Sequence, residues 1–392
     1  MYVGYSKEHE ALRDELRQYY EQLITPEVEE DLRKGEGIGA RSKSVWKQMA
    51  ADGWCGLGWP KEFGGKDLTP MEQFVFFDES MRSGAPVPML TINSVAPTIM
   101  RYGNDALKQE FIPKILAGEI HFAIGYTEPD AGTDLASLKT KAVRDGDEYV
   151  INGQKIFTSL ASGVDYIWLA VRTNPEVKKH KGISIIIVPT DTPGFSVKPI
   201  ENFAGLNTNI TYYEDVRVPA KYLVGEENAG WSLITNQLNH ERVTLCSSGI
   251  IDRHLGDVVA WAKETELADG RRVIDQEWVQ VNLAKVHAKL EFLKLANWKV
   301  AWEATRGAQL QPAEASTIKV FGTEFYMEAA RLMLEVLGNQ APLRRGSAGA
   351  VLRGRVEHMV RSMHILTFGG GVNEMQRDLI SLFGLNMPSI SR

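Results

Sequence analysis

A carboxylate on an apolar helical stripe is the residue of this chain best placed to do chemistry. On a helix predicted to begin near Trp231, Ile234, Leu238, Glu241 and Leu245 are spaced by four, three and four, which sets Glu241 on the inward face. A charge there must sit beside a cavity or find a partner, because an isolated buried charge is costly or is neutralised by a pKa shift. Such a carboxylate suits a general base, while the same spacing fits a structural ion pair with Arg242 or with a cation from another helix. The neighbouring His240 points about 100° away around an ideal helix, so it is read as a packing hydrogen bonder.

Two further segments carry polar groups in unusual density. Gly125-Tyr126-Thr127-Glu128-Pro129-Asp130-Ala131-Gly132-Thr133-Asp134 combines hydroxyls with glycines and offers O–H and main-chain N–H donors to an oxygen-rich ligand. On composition alone it reads equally well as a polar surface loop. Asn152-Gly153-Gln154-Lys155-Ile156-Phe157-Thr158-Ser159 follows, and within it Phe157 alone would pass for a core aromatic in a strand.

The elements that must hold these residues are legible from periodicity. Residues 1–119 show helical spacing broken by Gly58-Trp59-Pro60 and Gly64-Gly65. Residues 120–230 change to short β-rich runs at 148–151, 166–171 and 183–188, with Asp145-Gly146 and Asn152-Gly153 as turn signals. Residues 231–392 return to long helical patterns over 278–306 and 316–337. The expected fold is α+β: an N-terminal helical domain, a middle, mostly antiparallel β domain and a C-terminal helical bundle.

Composition narrows the function. The 392 residues are 44% hydrophobic and 24% charged, enough for a large core, and the net charge of −6 disfavours nucleic acid as a partner. Cys55 and Cys246 are far apart, with no CxxC spacing, so neither a disulfide framework nor a metal site is expected. No stretch approaches the roughly 20 apolar residues of a membrane span, and the charged first 23 residues do not look like a signal peptide; a cytoplasmic location is expected.

The two polar segments resemble the paired flavin-binding signature of the acyl-CoA dehydrogenases. So do Trp59-Pro60-Lys61-Glu62-Phe63-Gly64-Gly65, Glu214-Asp215-Val216-Arg217-Val218-Pro219, Gly225-Glu226-Glu227-Asn228-Ala229-Gly230-Trp231 and Asn373-Glu374-Met375-Gln376-Arg377, so the likeness spans nearly the whole chain. The resemblance implies FAD as cofactor, with Tyr126, Thr127 and Ser159 at the isoalloxazine, Phe157 over one flavin face, Gly132 and Thr133 near the pyrophosphate and the thioester end of the substrate, and Asn373 and Glu374 in the cofactor set. It implies Glu241 as the base that removes the α-proton of an acyl-CoA thioester to give a trans-2-enoyl-CoA. The family's other position for a base corresponds to Gly370, which has no carboxylate but keeps a main-chain N–H for the thioester carbonyl. An electron-transfer flavoprotein would take the electrons onward.

The chain departs from the family where homotetrameric members complete a neighbour's FAD. The Arg-x-x-Phe-Gly segment is replaced by Asp269-Gly270-Arg271-Arg272-Val273-Ile274-Asp275, and the Gln-x-x-Gly-Gly segment by Glu335-Val336-Leu337-Gly338-Asn339. A glutamate near a pyrophosphate repels it. That loss resembles the α subunit of the α2β2 acyl-CoA dehydrogenases of actinobacterial sterol side-chain degradation, as do Leu90-Thr91-Ile92-Asn93-Ser94-Val95-Ala96-Pro97-Thr98 and Thr235-Asn236-Gln237-Leu238-Asn239-His240-Glu241-Arg242. It implies a second, unlike subunit and a steroid side-chain acyl-CoA as substrate. The alternatives are a conventional homotetrameric fatty acyl-CoA dehydrogenase, with Arg271 or Arg272 replacing the family arginine, and an acyl-CoA oxidase in which reduced flavin meets oxygen.

Overall fold

Helix-starting and helix-stopping residues partition the first third of the chain. The computed structural model describes residues 4–34, 38–205 and 208–388, with the side chains of residues 33–34 and 239–242 outside the described set. Its first helices are α1 (Lys7–Leu23), α2 (Pro26–Lys34), α3 (Ala40–Ala51), α4 (Pro70–Ser83), α5 (Ala96–Tyr102) and α6 (Asp105–Leu116). In α4 the Thr69 hydroxyl accepts Met71 N–H, the Glu72 carboxylate accepts Thr69 N–H, Pro70 pre-sets the first turn and Gly84 ends the helix in a left-handed conformation. A π-helical turn over Thr91–Val95 leads into α5.

The middle of the chain forms one sheet from β1 (Phe122–Gly125), β2 (Lys141–Asp145), β3 (Glu148–Lys155), β4 (Tyr166–Arg172), β5 (Ile183–Pro189), β6 (Phe195–Ile200), β7 (Thr208–Pro219) and β8 (Leu223–Val224). The order is β6-β7-β3-β2-β4-β5-β8, with β1 added parallel to β4. Pairing is otherwise antiparallel apart from a parallel Lys141–Arg172 contact between β2 and β4. Asp145-Gly146 does form a hairpin turn, with Gly146 at φ +62°. Asn152-Gly153 does not turn the chain: both residues lie inside β3, and the register against β7 shifts between Ile151 and Gly153. Gly153 has φ +149°, and a Cβ there would come within 2.8 Å of Thr140 Cα, so the pair marks a bulge that brings two strands close.

The last third comprises α7 (Gly230–Thr244), α8 (Ser248–Glu264), α9 (Glu277–Thr305), α10 (Pro312–Leu337), α11 (Arg355–Met363) and α12 (Asn373–Leu379). The N-terminal helices and the sheet share one hydrophobic cluster, and the C-terminal helices form a second. Polar ties join the halves: Asp78 of α4 accepts Ser247 Oγ, Ser248 Oγ and Gly249 N–H, so an acid on one domain caps a helix of the other. Among the described residues no helix is long and apolar enough to cross a membrane.

Candidate functional site

Helix α7 belongs to both cores. Leu233 and Ile234 are buried in the first cluster with Trp231 and Leu238 packed against it, whereas Val243 near its end, and Leu245 and Cys246 in the turn that follows, belong to the second. Position 241 falls at the changeover; the Glu241 side chain itself lies outside the described residues, as do those of His240 and Arg242. The helix spacing sets residues 237, 238 and 244 on the face that bears position 241, and Leu245 follows in the turn directly after the helix.

Each of three of those neighbours touches a different element. Gln237 Oε1 accepts the Tyr126 hydroxyl at 2.6 Å, just beyond β1. Thr244 Oγ1 accepts Asn93 Nδ2 at 2.9 Å, from the π-helical turn. Leu245 Cδ1 stands 3.1 Å from where a Cβ on Gly370 would be. Tyr126 and Gly370, 244 positions apart by their numbers, therefore meet α7 and the turn that ends it on either side of position 241.

The Tyr126–Asp134 loop is pinned from beneath by a buried ion pair. Lys155 Nζ, fully buried at the end of β3, donates to Glu128 Oε1 at 2.8 Å and to the Tyr126 carbonyl at 3.0 Å. Glu128 also accepts Lys139 and Thr140 N–H, and the pair Glu128–Ala131 bonds main chain to main chain. Burial pushes the Lys155 ammonium down to about 8 against the pull of Glu128. Burial would raise the Glu128 carboxyl, but the Lys155 charge and the hydrogen bonds outweigh it and hold it below the usual range. The Tyr126 phenol is buried and also accepts Trp168 Nε1–H at 3.2 Å. Gly132 and Thr133 lie exposed at the far end of the loop, and Thr127 is half-buried with its carbonyl accepting Ile156 N–H.

Beyond Lys155 the chain turns sharply. Phe157 takes φ +60° and leaves its ring 61% exposed, so it is no core aromatic. Thr158 is fixed by exchange with Asn209, whose carbonyl accepts Thr158 N–H and whose side-chain amide donates to the Thr158 carbonyl. Ser159 Oγ meets Thr208 Oγ1 at 3.2 Å. The buried atoms Thr158 Oγ1 and Asn209 Oδ1 have no hydrogen-bond partner among the described atoms.

The loop before α12 is held by a second buried lysine. Lys319 Nζ donates to the carbonyls of Thr367 and Gly371 and to Asn373 Oδ1, the last at 2.7 Å. Asn373 is buried and gives its amide N–H to Thr323 and Glu324, so its side chain serves the loop's shape, while Glu374 is exposed in the first turn of α12. Gly370 takes φ +69°.

Lys155, Glu128, Gln237, Asn93 and Lys319 escape a reading of the sequence, because burial of a lysine or an amide is decided by partners distant along the chain. An apolar groove lined by Phe63, Ile112 and Leu116, between α3 and α6, contains none of the residues above.

Comparison with known proteins gives a consistent result along the chain. The family model for the acyl-CoA dehydrogenase N-terminal domain matches residues 6–119, that for the middle domain residues 123–216, and that for the C-terminal domain residues 228–383. Acyl-CoA dehydrogenase FadE26 of Mycobacterium tuberculosis is 56% identical over 400 residues, covering 100% of both chains. A chain of the ChsE4-ChsE5 complex from Mycobacterium tuberculosis superposes with a TM-score of 0.93 at 56% identity over 100% of both chains. A chain of the Tcur3481-Tcur3483 steroid ACAD gives 0.93 at 49% identity, again over 100% of both.

Proposed function

Since the chain belongs to the acyl-CoA dehydrogenase family, oxidoreductases that act on CH–CH bonds, we propose that it carries out the FAD-dependent α,β-dehydrogenation of a steroid side-chain acyl-CoA to the trans-2-enoyl-CoA. The observation that carries this reading is the convergence of Tyr126 and Asn93 on the face of α7 that bears position 241, and of Gly370 on the turn directly after it. Glu241 takes the α-proton. Gly370 N–H steadies the thioester oxygen as negative charge develops on it. FAD, when bound, supplies the acceptor for the β-hydride.

The residues present fit that cofactor. Thr127, Thr133 and Ser159 supply hydroxyl donors, Phe157 presents an uncovered aromatic plane on a backbone fixed at both neighbours, and the orphaned Thr158 Oγ1 and Asn209 Oδ1 adjoin it. Because the Tyr126 phenol is committed to Gln237 and Trp168, contact with the ring from this residue falls to its main chain.

A second, unlike subunit completes the enzyme in this reading. Arg271 is paired with Asp269 at 2.7 Å, Arg272 gives Nη1 to the Glu264 carbonyl at 2.7 Å, and Glu335 is held by Arg331 and Asn282. Neither segment offers the donor arrangement that a neighbouring pyrophosphate needs, and the likeness to chains of two-protein complexes supports a partner that does. An electron-transfer flavoprotein is the expected electron acceptor. Glu241→Gln keeps the side chain's shape and removes the base: the assembled variant should retain FAD and lose nearly all substrate-dependent flavin bleaching. Normal bleaching would take Glu241 out of the reaction.

A further inference from the structure

Two hydrogen bonds bracket position 241, and both lead back to one strand. Gln237 lies four residues before it and Thr244 three residues after, so both side chains leave α7 on its face. Gln237 bonds Tyr126, the residue directly after β1. Thr244 bonds Asn93, whose π-helical turn is itself tied to the start of β1, where Thr91 Oγ1 accepts Phe122 N–H at 3.1 Å. The helix is thus referenced at two points to the strand that runs into Thr127.

Stability does not account for the first of these bonds. Gln237 is 2% exposed, and its Nε2 has no acceptor among the described atoms, so the buried amide carries an unpaid donor. A methionine would fill the same space without that cost. What the amide supplies is direction: the Trp168 N–H donates to the phenol oxygen, the phenol donates to Gln237 Oε1, and the chain of bonds fixes a distance that apolar contact leaves free to slide. The need is greatest here, because Leu238 packs against one core and Val243 against the other.

We infer that Gln237–Tyr126 and Asn93–Thr244 form a two-point clamp that sets the rotation and axial register of α7, and hence the approach of position 241 to the substrate. The four side chains act as positioning groups, and the contact of Tyr126 with the flavin is through its main chain, which Tyr126→Phe leaves in place. The inference rests on Glu241 as the base.

The test uses the assembled, FAD-loaded enzyme. Gln237→Met, Tyr126→Phe and Thr244→Val each delete polar atoms at nearly constant volume. In each, the rate constant for flavin reduction should fall roughly tenfold or more with KM within about twofold of wild type, because misplacement of about 1 Å suffices for losses of that order. The substrate α-deuterium isotope effect should rise and the pH profile of reduction should shift, while FAD content and oligomeric mass stay unchanged. Gln237→Met combined with Tyr126→Phe should be no slower than the slower single variant. Should Gln237→Met fail to assemble, Tyr126→Phe and Thr244→Val, which each remove one oxygen, carry the same test. Wild-type rates, isotope effects and pH profiles in these variants, beside an inactive Glu241→Gln, would overturn the clamp alone; an active Glu241→Gln would overturn the base assignment and the clamp with it.

Discussion

Gly370, in the loop before α12, faces Leu245, in the turn that ends α7, so closely that a Cβ on Gly370 would sit 3.1 Å from Leu245 Cδ1, on a backbone at φ +69°. Gly370→Ala therefore meets two obstacles, a left-handed conformation costing an L-residue about 1–2 kcal/mol and a side chain in the way. Flavin reduction should slow roughly ten- to a hundredfold at unchanged FAD content. Adding Leu245→Ala should recover only the part due to the contact, which stopped-flow comparison of the two variants will separate.

Glu128→Gln should destabilise the protein by roughly 3–5 kcal/mol, because it strips the buried Lys155 of its counter-charge. The Glu128 carboxyl is held below its ordinary range in the folded state, so on acidification the unfolded chain takes up the proton first. The stabilisation is complete above the ordinary carboxylate pKa and is lost as pH falls through the lowered folded value. Denaturant titrations of both proteins from pH 6 downward should converge in that window.

His121 gives a distinct acid response at milder pH. Neither buried ring nitrogen meets a well-formed hydrogen-bond partner among the described atoms, the ring lies 3.8 Å from that of Trp46, and burial, then the charge of Lys43, opposed by the Gly118 backbone and aided by Lys47, brings its pKa down to about 4. Between about 6.5 and 4 the unfolded chain alone is protonated there, so stability falls with pH by at most about 1.4 kcal/mol per pH unit. In His121→Phe that contribution should vanish, and the stability difference between pH 7 and pH 5 should shrink accordingly.

Purified alone, the chain should hold little FAD, and co-expression with an unlike acyl-CoA dehydrogenase subunit encoded beside it should yield a flavinated mixed assembly. Flavin absorbance and native mass decide the matter. A fully flavinated, active assembly of this chain by itself would reject the shared-site reading.

The domain pattern was open to reading because it depends on local rules. The runs at 166–171 and 183–188 became β4 and β5, and the 278–306 pattern became α9, since periodicity and propensity agree there with the packing. Asn152-Gly153 misled because the same dipeptide that favours a hairpin also suits a bulge, and only the opposing strand β7 decides between them. The supports of the site were hidden for a related reason. Lys155 finds Glu128 27 residues away, Lys319 finds Asn373 at 54 and Gln237 finds Tyr126 at 111, so nothing local marks these polar side chains as buried. The helix that carries position 241 could be read in advance, because helical spacing alone marks Ile234 and Leu238 as its inward face.

A helix owned half by one core and half by the other leaves no neutral place to cut the chain. A fragment ending before Gly230 forfeits Leu233 and Ile234 from the first cluster, and one extended through α7 lays bare Val243, which belongs to the second. Chimeras between relatives meet the same constraint. On the proposed reading, position 241 has to travel with the sheet that receives Gln237 and with the loop that abuts Leu245, and recombination at the visible domain border would part it from both.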